Sequence, residues 1–106
     1  MHFTSIFSEL KYDIEDLAKK TFADNKKEAE KDGKRILDVL KTQLQRYATG
    51  LANGDLTSKE FKDLLFGQKT EIEMVALKRA GITLVEADKF KTEVFNAIVR
   101  TILERV

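Results

Sequence analysis

Residues 83–106, TLVEADKFKTEVFNAIVRTILERV, carry too much apolar surface for a helix that rests on a single neighbour. Wound at about 100° per residue, Phe90, Val94, Ala87, Ile98, Leu84, Ile102, Phe95, Val106 and Val99 fill one broad arc. Leu103 and Val85 widen it to roughly two thirds of the circumference, against the ~100° stripe of an ordinary surface helix. Only Glu86, Lys89, Glu93, Asn96, Arg100 and Glu104 make a wet strip. The segment is therefore expected to be the central helix of a bundle or one wall of an oligomer.

The rest of the chain reads as cover for it. Phe3, Ile6, Leu10, Ile14, Leu17 and Ala18 recur at helical spacing, and so do Ile36, Leu37, Val39, Leu40, Leu44, Tyr47, Ala48 and Leu51. Between them ADNKKEAEKDGKR is almost wholly polar, with Asp24-Asn25 as a possible cap and Asp32-Gly33 as a possible break. Residue chemistry allows either a turn within 24–33 or one continuous helix of roughly 45 residues, about 68 Å long. Length matching favours the turn, because the later helices would leave such a rod uncovered. Asn53-Gly54 suits a left-handed C-cap, Thr57 with Glu60 makes a capping box, and Thr83 with Glu86 repeats the pattern after Gly81. The expected fold is a single domain over 1–106, all-α, an antiparallel four-helix bundle with helices near 4–23, 34–52, 57–80 and 84–105.

Composition narrows the chemistry. The chain has no Cys, so disulfides and thiolate metal sites are excluded; 19 basic and 18 acidic residues nearly cancel, leaving no broad field toward nucleic acid or anionic lipid. No apolar run is long enough for a membrane span, and a cytoplasmic protein is expected. The only histidine is His2, which leaves the common nucleophile–base triads and a Glu-x-x-His di-iron centre without their parts. The five glycines are isolated, and no phosphate-binding loop occurs. Neither a cofactor nor enzymatic activity is expected.

The candidate sites that remain each have a plain structural reading. Asn53 to Phe61 resembles the second half of an EF-hand loop, but the first and third places would fall on Thr49 and Leu51, and Leu51 offers calcium no oxygen from its side chain. Glu9, Asp13 and Asp16 share a helical face that a divalent ion would suit, or they are solvated charge. Tyr12, Tyr47, Lys69, Arg79 and Lys91 are the polar groups nearest the apolar stripes, and the basic ones are expected to snorkel to water. Lys19, Lys20, Lys26, Lys27, Lys31, Lys34 and Arg35 form a basic stretch that suits phosphate, yet Asp24, Glu28, Glu30 and Asp32 are spaced to pair with the lysines.

The largest anomaly is apolar surplus. In a continuous helix over 57–80, Phe66, Met74 and Leu77 fall away from the Phe61/Ile72 stripe, and Phe95, Val99 and Leu103 widen the last helix. These six residues are the expected partner interface. The expected function is thus a non-catalytic assembly or adaptor protein that acts through helix-face protein contacts, as a homodimer. A nucleic-acid module using 26–35 is the alternative; a metal-dependent enzyme or calcium sensor ranks below both.

Overall fold

The computed structural model describes residues 2–106. In chain order it contains α1 (Phe3–Thr21), α2 (Lys26–Asn53), α3 (Ser58–Phe66), a 3-10 turn (Lys69–Glu71), α4 (Val75–Arg79) and α5 (Leu84–Arg105), with no strand among the described residues. The fold is an all-α bundle: α1, α2 and α5 are its long members, and residues 58–79 form the fourth in pieces.

α5 begins at the expected cap, where the Thr83 hydroxyl accepts from the Glu86 N–H at 3.2 Å. Phe90, Val94, Phe95, Ile98 and Ile102 are fully buried, and the expected strip from Glu86 to Glu104 is exposed. Its cover comes from several elements. Phe22, just past α1, meets Phe90 edge-on at 5.5 Å between ring centroids, and Phe66 of α3 meets Phe95 at 5.6 Å. Along α1, Thr101 donates to Asp13 and Arg105 to Glu9, so the two helices run in opposite directions. Opposite running also relates α1 to α2, where Glu15 pairs with Lys34 at 2.8 Å and Lys41 sits 4.9 Å from the Phe7 ring. Leu84, Val85 and Val106 differ from the expectation and face solvent, as does Val39 of α2.

The first connection is a turn, confined to Phe22–Asn25, and the polar segment after it is already helix. α2, with 28 residues, is about 42 Å long and spans the 43 Å long axis of the molecule. Asp32-Gly33 does not break it. Gly33 instead marks the closest approach of α1: a Cβ there would collide with the Ile14 side chain, which is fully buried. Downstream, α2 ends as expected on left-handed Gly54 (φ 79°), and both halves of the Thr57/Glu60 capping box form, at 2.9 and 3.1 Å.

The continuous helix expected over 57–80 is not formed. α3 stops at Phe66, residues 67–74 cross α5 as a 3-10 turn and extended backbone, and α4 restarts for five residues. The interruption resets the helical phase and turns Met74 and Leu77 inward, where a continuous helix would have left them outside.

A Gly33→Ala variant should be less stable by about 1–3 kcal/mol despite Ala's better helix propensity, because the added methyl overpacks a buried contact. In urea denaturation, combining it with Ile14→Ala should cost less than the sum of the two single changes. Additive losses would show that the contact does not limit helix approach.

Candidate partner-binding surface

Interruption of the 58–79 segment leaves backbone groups that helix would have satisfied, and long-range side chains take them up. Asp32 of α2, 2% exposed, accepts from the Ala76 and Leu77 N–H groups at 2.9 and 2.8 Å, capping α4 from another element. Lys91 of α5 donates to the carbonyls of Lys69 (2.9 Å) and Ile72 (2.7 Å). Arg35 donates to the Glu73 carbonyl at 3.1 Å, and Gln68 donates to the Tyr47 hydroxyl at 2.7 Å. Lys91 therefore does not snorkel: it is 9% exposed, and burial holds its ammonium below the usual lysine range, with Lys69 adding to the effect while Asp88 and Glu73 oppose it.

The other candidates are placed as follows. Asp13 accepts from Thr101 at 2.6 Å, Glu9 pairs with Arg105 at 3.3 Å and Asp16 with Lys20 at 2.8 Å. The three carboxylates are thus drawn to three separate partners, and no group of three or more metal-ligating side chains occurs among the described residues. Thr49 and Leu51, the first and third places of an EF-hand, lie inside α2. Glu60 bonds the Thr57 N–H, which holds its carboxyl below the ordinary glutamate range. Tyr12 is exposed on α1, and Lys69 pairs with Asp88 at 3.3 Å.

The expected six-residue interface is corrected. Met74, Leu77, Phe95 and Val99 are buried in the chain's own core, and Phe66 and Leu103 are half-buried against it. The surplus is consumed internally, because α1 and the broken segment reach α5 from different sides. What stays open, besides a polar hollow of about 370 Å³ between α1 and α5 where Asp13, Asp16, Lys20, Glu93 and Arg100 gather, are two concavities that the sequence alone does not show. One is a cleft of about 270 Å³ beside α4, lined by Ile72, Met74, Ile82, Leu84 and Ala87 together with Thr70, Glu73, Lys78, Asp88 and Lys91; Leu84 is 75% exposed, and Val85 after it 67%. The other, about 900 Å³, lies between the N-terminal half of α2 and α4. Lys27, Lys31, Lys34, Arg35 and Arg79 rim it with Glu28 and Asp38, and Val75, Ala76 and Ala80 lie along the α4 side. The basic segment of the sequence is this rim.

Compared with known protein families, curated proteins and solved structures, the chain matches none. No helix is long and apolar enough to cross a membrane.

Removing the Asp32 carboxylate leaves two N–H groups without their partner, so Asp32→Ala should cost about 2–4 kcal/mol in urea denaturation, with Asp32→Asn losing less because one acceptor remains. An unchanged midpoint for Asp32→Ala would show that α4 does not depend on this cap. Lys91→Met should cost about 1–3 kcal/mol at neutral pH, as two carbonyls lose their donor. In the wild-type chain stability should also rise with pH from Lys91's depressed value up to the ordinary lysine range, because there the unfolded chain keeps a proton that the folded one has shed. Denaturation of Lys91→Met across alkaline pH should lack that rise.

Proposed function

We propose that this chain is a non-catalytic helical interaction module, an assembly or adaptor protein that works through protein contacts at its helix faces. The observation that carries the reading is the open α2/α4 groove. Its rim is charged, Val75, Ala76 and Ala80 give its α4 side an apolar strip, and no Ser, Thr, Cys, His or Tyr lines it. Such a lining suits recognition of another chain more than bond-making. A cytoplasmic setting belongs to the same reading.

Self-association as a homodimer is the second reading, now at a different place from the six residues expected from sequence. Leu84, with exposed Val85 next to it in sequence, borders a cleft whose lining joins Ile72, Met74, Ile82 and Ala87 to Glu73, Lys78 and Asp88. Knob and socket placed side by side suit an isologous contact between two copies.

A photo-crosslinking amino acid placed at Asp38 in the groove, at Val85, or at Glu104 on the exposed strip of α5 tests both in cells expressing the chain. The module reading expects a protein adduct from Asp38, and the dimer reading an adduct of twice the chain's mass from Val85. Glu104 should give neither. Absence of protein adducts from both Asp38 and Val85 would overturn the interaction role, and nucleic acid captured at Asp38 in place of protein would turn it to the phosphate-binding alternative.

A further inference from the structure

The α2/α4 groove carries chemistry that narrows its occupant. Lys27, Lys31, Lys34 and Arg35 follow one another at i, i+4, i+7 and i+8, which places them on one face of α2 over roughly 12 Å. Arg79 of α4 stands on the facing rim. Lys34 is held by Glu15 and Arg35 by the Glu73 carbonyl, whereas Lys27, Lys31 and Arg79 have no ion-pair partner among the described residues. Three uncommitted cations thus border a strip made of Val75, Ala76 and Ala80.

We propose that the groove binds a short acidic, amphipathic segment of a partner protein, its carboxylates meeting Lys27, Lys31 and Arg79 and its aliphatic side chains lying on the α4 strip. The inference rests on the interaction-module reading and deepens it. Charge complementarity selects an acidic partner, and the small apolar side chains of α4 let a helix or extended strand approach closely. Three features argue for a peptide over a nucleic acid. The N-terminus of α4, the natural seat for a phosphate, is filled by the Asp32 carboxylate. Glu28 and Asp38 on the rim repel a continuous phosphate backbone but are tolerated by a peptide that carries an occasional cation. No aromatic side chain lines the groove for a base to stack on.

The probe is a short fluorescein-labelled helical peptide of Glu, Leu and Ala, compared by anisotropy with its Lys-for-Glu counterpart and with a labelled single-stranded oligonucleotide of similar length. The acidic peptide should bind, the basic one should not, and added salt should weaken the complex. Lys31→Glu with Arg79→Glu should lower affinity about tenfold, while Lys59→Glu with Lys62→Glu on α3 leaves it unchanged. Unaltered circular dichroism confirms the fold of each variant; if the reversal perturbs it, Lys31→Gln with Arg79→Gln gives the same comparison with a smaller loss. Equal binding of both peptides, no binding of the acidic one, indifference to the groove variants, or tighter capture of the oligonucleotide would each overturn the proposal. A protein adduct at Asp38 alongside failure here would reject the acidic occupant and leave the module reading standing.

Discussion

A helix that is apolar around most of its circumference has to be covered from several sides, and backbone laid across it must find partners for whatever polar groups it does not pair with itself. In this chain both needs meet at residues 67–74. A continuous helix over 58–79 would satisfy its own N–H and C=O groups, yet it would leave Met74 and Leu77 pointing away from α5. Breaking the helix brings those side chains inward and exposes carbonyls and N–H groups to a dry environment. Lys91 and Asp32 take up the strain of that choice, one donating to the carbonyls of Lys69 and Ile72, the other accepting from Ala76 and Leu77. Neither is an ion pair; each is a charged side chain bonded to main chain, the kind of hydrogen bond that is strong when formed and expensive to leave half-made.

Much of the architecture was legible because it depends on local chemistry. The capping box at Thr57/Glu60, the Thr83 hydroxyl cap on the Glu86 N–H, the left-handed Gly54 and the exposed strip of α5 each follow from residues within a turn or two of one another. The parts that escaped depend on distant neighbours. Asp32-Gly33 carries the ordinary signature of a turn, but its glycine serves the approach of Ile14 and its aspartate serves a helix forty-four residues away in sequence. Lys91 looks like a side chain at the edge of a stripe, and only the carbonyls crossing above it make burial tolerable. The break after Phe66 is marked by nothing stronger than Gly67, and the change of phase that turns Met74 and Leu77 inward follows from it, whereas the burial of Phe95 and Val99 depends on the elements that cover α5.

The same arithmetic relocates the candidate site. Surplus apolar area is absorbed within one copy, so surface chemistry passes to the rim cations of α2 and to the tip at Leu84 and Val85. The basic character of residues 26–35 was visible in the sequence; that Arg79 would face it across a groove was not, because α2 and α4 are joined by the buried Asp32 and by core side chains such as Leu77, contacts between residues far apart in the chain. The shape of the groove thus leans on one carboxylate at its base, while its charge comes from the Lys and Arg side chains of α2 and α4.

α4 has only five residues, far below the length at which a helix persists alone in water. Its existence is conditional on α2 already being in place to present Asp32, which makes it a late arrival during folding and an early departure when the native state loosens. The groove therefore has one permanent wall and one provisional wall, and anything seated between them would clamp the least durable part of the molecule to its longest strut.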